Sequence, residues 1–278
     1  EENLVFLRPL GLRLSKGLEG DVYGLSLDGV GLGTDGRAWG CEVLHCRSNG
    51  TFERLGHLQN LPLPGGDAAA REPWRMAVSA ALKTDCKNEA LALWPHRPVA
   101  AMLVLAANTR LTGDTSSAGR LFDAVSAIAG LCEEQSDEAQ AAMLLEAAGG
   151  DFAQAVYDDN DFVVTKEADV NVLDVTTLLK RLFAMRLDGA SPQTISQRFH
   201  AAFSAGMAEL ARICIPAGSS VCLSGGTFLN RFMAADLNRR LRQMGYQTYL
   251  PSQLPPGDGA ISFGQCAVAR QRLDAAGH

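Results

Sequence analysis

Residues 219–238, SSVCLSGGTFLNRFMAADLN, decide the fold of this chain. A short apolar run at 220–223 ends in Ser-Gly-Gly, and apolar residues then recur at helical spacing at positions 229, 232, 233, 237 and 241. This pattern predicts a strand, a tight glycine turn and a helix. Backbone N–H groups at such a helix start suit an anion, and glycine lets a ligand approach the backbone closely. An ordinary βα turn is the alternative interpretation.

The composition is typical of a globular chain. Of 278 residues, 47% are hydrophobic and 20% are charged, and no apolar run reaches the roughly 18 residues that a membrane helix needs. The net charge is −6, and the Lys and Arg residues are not gathered into the basic patch that nucleic-acid binding requires. Seven scattered cysteines without CxxC spacing indicate free thiols in a reducing compartment. We therefore expect a cytoplasmic protein that binds neither membrane nor nucleic acid.

The periodicity divides the chain into stretches of different character. Residues 1–20 show no clean period and predict an irregular segment, part of which could derive from an expression vector. Residues 21–60 predict a three-strand meander, and residues 61–212 predict mainly helices. Residues 213–278 predict two strand–glycine–helix units. Strands and helices packed in layers make residues 21–278 one domain of the α/β class.

A glycine-rich turn lies inside the predicted meander. Residues 31–36, GLGTDG, match the GxGxxG dinucleotide fingerprint, but a strand follows where that motif needs a helix, so we reject a Rossmann fold. The turn amides and Asp28 could together hold a phosphate and a divalent cation. A plain hairpin turn is equally compatible with this stretch.

Three further positions are candidates for function. The helix predicted from about residue 118 places Arg120 beside Asp123, where the carboxylate suits ribose hydroxyls; a solvated Arg–Asp pair is the alternative. A second glycine turn at 255–259, with Asp258 at its edge, repeats the geometry of the first turn. His200 flanks a buried helical stripe, and we expect a structural histidine there.

Several motifs resemble the C-terminal part of the hydrogenase-maturation carbamoyltransferases. They occur in the family order as LDGVGLGTDGRAWGCE (27–42), LPLPGGDAAAREPWRMA (61–77), TSSAGRLFDAV (115–125), EAQAAMLLEA (138–147), RFHAAF (198–203), LSGGTFLNR (223–231) and PPGDGAISFGQ (255–265). The resemblance implies an α/β nucleotide-binding fold of the actin, Hsp70 and sugar-kinase (ribonuclease H-like) class, with its first lobe incomplete. It also implies carbamoyl transfer from carbamoyl-adenylate to the C-terminal cysteine of a partner protein, on the route to the cyanide ligands of nickel–iron hydrogenases.

The same resemblance implies roles for individual residues and a set of ligands. Seven positions match the family's site: Gly119 and Asp123 for the ribose, Gly225, Gly226 and Asn230 for the nucleotide turn, and Asp28 and Asp258 for catalysis and the metal. In the family, two histidines of an HHxAH motif complete that metal site. The implied cofactors are ATP, AMP or carbamoyl-adenylate, together with a divalent metal.

The HHxAH motif is absent from this chain, and residues 4–14 read LVFLRPLGLRL where it should fall. Two carboxylates without imidazoles should bind a divalent metal weakly and should prefer magnesium to iron or zinc. A catalytically impaired module that binds a nucleotide or a partner is therefore the alternative to an active carbamoyltransferase. A sugar- or acetate-kinase-type ATPase is disfavoured, because its first phosphate loop belongs to the lobe that is incomplete.

The incomplete lobe also carries an expectation about partners. It should leave apolar surface exposed, which residues 4–14 or another chain would cover. We expect either a homodimer or a complex with a hydrogenase-maturation protein that ends in cysteine.

Overall fold

The computed structural model describes residues 7–108, 110–253, 255–257, 259 and 261–275, without the side chains of residues 154, 267 and 271–275. The chain separates into two compact units. The first, called the sheet unit, comprises Glu1–Leu58, Val164–Leu173 and Met207–His278. The second, called the helical unit, comprises Gln59–Val163 and Asp174–Gly206.

Strands and helices alternate irregularly along the chain. The strands are β1 (Val22–Leu32), β2 (Ala38–Cys46), β3 (Phe52–Leu58), β4 (Leu61–Leu63), β5 (Gly113–Thr115), β6 (Val163–Glu167), β7 (Val170–Asp174), β8 (Ser220–Ser224) and β9 (Gln247–Tyr249). The α-helices are α1 (Leu7–Ser15), α2 (Asp67–Arg71), α3 (Pro73–Thr84), α4 (Lys87–Leu93), α5 (Val99–Ala107), α6 (Ala118–Ile128), α7 (Gln140–Gly149), α8 (Thr176–Leu187), α9 (Pro192–Cys214), α10 (Arg231–Gln243) and α11 (Ile261–Ala275). Short 3₁₀ helices lie at Phe152–Gln154, Asp159–Asp161 and Gly226–Leu229.

A mixed sheet forms the sheet unit, with its strands in the order β6-β7-β3-β2-β1-β8-β9. Strands β1, β2 and β3 pair antiparallel, which confirms the predicted meander. Strand β8 joins β1 in parallel, and β9 joins β8 in parallel. The late strand–glycine–helix unit is thereby placed beside the first strand of the meander.

The glycine-rich stretch of the meander is more extended than the sequence predicts. Strand β1 continues to Leu32 with a bulge between Leu27 and Gly31, so that Gly31 and Leu32 of the predicted turn are strand and the turn itself occupies residues 33–37. A bulge accommodates the glycines because it needs backbone freedom and little side-chain packing. Strand β2 follows directly, which confirms that residues 31–36 do not open a helix.

The sequence predicts an irregular segment at residues 1–20. That prediction is wrong for Leu7–Ser15, which form α1. The helix packs against β1, β8 and α11, and three of its four leucines join a buried cluster. The members of that cluster are Leu7, Leu10, Leu12, Val22, Trp39, Leu44, Cys46, Cys222 and Val268. Pro9 and Gly11 lower the local helix propensity, so the helix depends on this burial rather than on its own sequence.

The helical unit packs around aromatic side chains. Phe122 meets the rings of Phe199 and Phe203 edge to face, at centroid distances of 4.9 and 5.9 Å. Strands β4 and β5 pair antiparallel. Helix α2 begins at Asp67 and is interrupted at Glu72, because Pro73 starts α3 as a new helix.

The cysteines are free thiols, as the sequence predicts. Cys266 is exposed, Cys214 is half-buried and the others are buried. Across the described residues, none of the helices has both the length and the hydropathy that crossing a bilayer would take.

Candidate functional site

The glycine turn after β8 is formed by close backbone approach. Gly225 has a φ of +103°, a region that side chains rarely adopt. A Cβ atom at this position would lie 2.1 Å from the carbonyl oxygen of Leu27, and the Gly225 N–H donates to the Pro256 carbonyl at 2.8 Å. Glycine is therefore required at 225 so that the turn can pack on β1, a reason that the sequence does not reveal.

Gly226 brings the turn next to the first predicted carboxylate. A Cβ atom on Gly226 would lie 3.2 Å from Asp28 Oδ1, and one on Gly257 would lie 3.9 Å from the Gly226 Cα. The sheet unit thus brings Asp28, Gly225 and Gly226 together with the second glycine turn. Asp258 itself lies outside the described residues.

Asn230 caps the helix that follows. Its Oδ1 accepts a hydrogen bond from the Met233 N–H at 3.0 Å, and such a cap contributes about 1 kcal/mol to helix stability. The α-helix therefore begins at Arg231 rather than directly after the glycines, with a 3₁₀ turn between them. Leu229 lies in that turn and is 70% exposed, so it is not part of the predicted buried stripe.

Asp28 has a partner that the sequence analysis missed. Its Oδ2 forms an ion pair with the Arg8 guanidinium, and its Oδ1 accepts the Gly29 N–H at 2.7 Å. Arg8 belongs to α1, in the segment predicted to be irregular, and is only 3% exposed. An arginine inside the apolar run LVFLRPLGLRL was the available signal, because a buried guanidinium needs a carboxylate.

The described residues do not fit a divalent metal at Asp28. Among them, no three or more His, Cys, Asp and Glu side chains are grouped so that they could hold a metal ion. The carboxylate of Asp28 already contacts a guanidinium, whose positive charge would repel a metal on the same oxygen atoms.

The residues predicted to contact ribose lie in the helical unit. Gly119 and Asp123 are on α6, whose first turn is capped by Ser117 accepting the Arg120 N–H at 3.1 Å. Arg120 Nε lies 2.7 Å from Asp123 Oδ2, so the predicted pairing is confirmed. The alternative of a solvated pair is wrong, because Asp123 is 1% exposed and its burial raises the pKa to about 6 against the opposing charge of Arg120.

His200 has the surroundings expected of a structural histidine. It is fully buried, and its Nδ1 lies 2.8 Å from the Ser196 carbonyl oxygen. Phe122 and Phe152 contact the ring edge to face. This burial lowers the pKa of His200 to about 4.

Residues 24–265 match the protein family described as "Carbamoyltransferase, Kae1-like Domain, second subdomain". The chain belongs to this carbamoyltransferase family. A relative from Cupriavidus necator named "Carbamoyltransferase HypF homolog" is 40% identical over 269 residues, covering 92% of this chain and 66% of the relative. "Carbamoyltransferase HypF" from Rhizobium leguminosarum bv. viciae is 41% identical over 269 residues, covering 91% of this chain and 32% of the relative.

Solved structures support the same family. The full-length HypF in its phosphate- and nucleotide-bound form has a TM-score of 0.87 and 31% identity, covering 99% of this chain and 36% of that protein. T. kodakarensis HypF has a TM-score of 0.81 and 25% identity, covering 99% of this chain and 37% of that protein. The predicted α/β fold is thus confirmed. This carbamoyltransferase-family chain spans only part of the length of the relatives that it matches.

Proposed function

We propose that this chain is a carbamoyl-transfer domain that uses carbamoyl-adenylate as donor and the C-terminal cysteine of a hydrogenase-maturation protein as acceptor. The main supporting observation is the glycine turn at Gly225 and Gly226, which lies against Asp28 and the 255–257 turn. The relatives support the activity class, since they are named carbamoyltransferases, and one solved relative is described as phosphate- and nucleotide-bound.

The reaction needs positioning and charge stabilisation more than covalent help from the protein. The thiolate of the acceptor cysteine attacks the carbamoyl carbon and forms a C–S bond. The bond from that carbon to the phosphate oxygen breaks, AMP leaves with the electron pair, and the thiol proton goes to solvent. Fixed donors around the departing phosphate would stabilise its charge, and a glycine turn can bring backbone groups close to it.

Gly119 and Asp123 are proposed as ribose contacts on the basis of the family resemblance. The buried carboxyl of Asp123 is suited to this role, because a desolvated acceptor gains from hydrogen bonds to hydroxyl groups. Asn230 is proposed to lie near the base, although its side-chain oxygen also caps α10.

The test is transfer to a peptide that ends in cysteine. The chain would be mixed with carbamoyl-adenylate, or with the enzyme that forms it, and the carbamoylated peptide would be measured by mass spectrometry. Gly226→Val should abolish transfer, since its side chain would meet Asp28. Gly113→Val is the matched control, because a Cβ atom at Gly113 meets nothing within 4 Å.

A second candidate function is a nucleotide- or partner-binding module that does not transfer the group. The pairing of Asp28 with Arg8, in a chain without HHxAH, favours it. AMP binding without any transfer by the wild-type chain would support this module and would contradict the transferase proposal.

A further inference from the structure

The sheet unit contains a buried cation beside the glycine turn. Arg8 is 3% exposed, and its guanidinium contacts the carboxylate of Asp28. The other oxygen of Asp28, Oδ1, accepts the Gly29 N–H, and a Cβ atom on Gly226 would lie 3.2 Å from it. A positive charge that belongs to the chain itself is therefore built into this turn.

Close packing fixes the helix that carries Arg8. A Cβ atom on Gly264 of α11 would lie 2.3 Å from the Leu7 carbonyl oxygen, and one on Gly11 would lie 3.2 Å from the Gly264 Cα. On the strand side, a Cβ atom on Gly24 would lie 2.5 Å from the ring of Pro9. Glycines on both sides thus let α1 approach its neighbours closely, and the helix cannot shift to withdraw Arg8 without losing these contacts.

The chemistry of the pair disfavours replacement of Arg8 by a metal. A guanidinium stays protonated at every pH a folded protein meets, so its charge cannot be switched off. Moving it away from Asp28 would break a buried ion pair, which is destabilising. A divalent ion that bound Asp28 without moving Arg8 would lie against a like charge.

We propose that Arg8 is the permanent counter-charge of Asp28, so that the glycine turn binds its anionic ligand without a divalent metal. The ligand class rests on the proposed function, whereas the exclusion of metal rests on the Arg8–Asp28 pair. Arg8 then supplies from the protein the positive charge that a bound cation would otherwise bring to the turn. It acts as a positioning residue for Asp28.

The first test measures metal binding by the full chain. Mn²⁺ is titrated up to millimolar concentration, and free Mn²⁺ is followed by electron paramagnetic resonance. The wild type and Arg8→Lys should bind Mn²⁺ too weakly to detect in this range, whereas Arg8→Met should bind it at least about tenfold more tightly than that limit, because the positive charge beside Asp28 has been removed. Arg13→Met is the matched control, since Arg13 is the other buried arginine of α1, and it should behave as the wild type does. One equivalent of Mn²⁺ on the wild type, lost in Asp28→Asn, would overturn the proposal.

The second test uses AMP and does not depend on the variants folding. Calorimetric titration of the wild type should give the same affinity in EDTA as in Mg²⁺. A loss of affinity in EDTA would overturn the proposal. Failure of AMP to bind under both conditions would count against the proposed function alone, and Mn²⁺ titration of the wild type would still decide whether the turn excludes metal.

Discussion

Burial determines the protonation of several single residues in this chain. Desolvation raises the pKa of Asp123 to about 6 and lowers the pKa values of His57 and His200 to about 4. All three groups are thus shifted toward their neutral forms, as expected when water is removed from an ionisable side chain. Asp123 also contacts an ionised partner, Arg120, which reduces the shift without abolishing it.

The first prediction is a pH dependence of stability that Asp123 causes. Its pKa in the folded state, about 6, exceeds the ordinary value of 3.8, so the folded chain holds the proton to higher pH than the unfolded chain. The free energy of unfolding contributed by this group is complete below about pH 4 and is lost as pH rises to about 6. The total loss is roughly 3 kcal/mol.

Asp123→Asn removes the titrating proton and keeps the shape of the side chain. Chemical denaturation at a series of pH values should show the wild type losing stability relative to the variant between about pH 4 and pH 6. If the unfolding free energies of the two proteins changed in parallel with pH across that interval, the carboxyl group would ionise as easily in the folded chain as in the unfolded one.

At the scale of elements, α1 contributes to the core of the sheet unit, although its local sequence gives little indication of a helix. Its residues Leu7, Leu10 and Leu12 are buried in the cluster with Val22 and Cys222. The apolar run 4–14 was expected to cover an incomplete lobe, whereas residues 7–13 of that run are buried inside their own unit. The helix also supplies Arg8, so that core packing and the charge at the glycine turn are linked through one element.

The second prediction compares two leucines of this helix. Leu10 is fully buried and Leu14 is 36% exposed. Leu10→Ala should cost about 2–5 kcal/mol of unfolding free energy, because it leaves a cavity in a closely packed cluster. Leu14→Ala should cost less than about 1 kcal/mol, since surface substitutions seldom matter. Thermal and urea denaturation measure both. Equal losses in the two variants would mean that α1 does not pack as described.

At the scale of the whole molecule, the sequence predicted those features that short-range patterns encode. The meander, the turn at 225–226 and the α6 helix with its Arg120–Asp123 pair follow from alternation, glycine placement and helical spacing. The pairing of Arg8 with Asp28 was missed, because the two residues meet only after α1 has packed on the sheet. The glycine at 225 was attributed to ligand approach, whereas the nearest atom is the Leu27 carbonyl oxygen of a neighbouring strand. Contacts between elements distant in sequence decide both cases.

The last prediction tests the nucleotide assignment in each unit separately, by calorimetric titration of AMP into the full chain. Gly226→Val in the sheet unit should weaken AMP binding at least about tenfold, because the new side chain would contact Asp28 where the phosphate is proposed to approach. Asp123→Ala in the helical unit should weaken it by roughly ten- to a hundredfold, the effect of losing hydrogen bonds to a charged acceptor. Gly113→Val, with open space where its Cβ atom would lie, should bind as the wild type does.

Since the two site variants lie in different units, each outcome has its own meaning. Unchanged affinity in Gly226→Val would remove the glycine turn from the nucleotide site, and unchanged affinity in Asp123→Ala would remove the ribose contact.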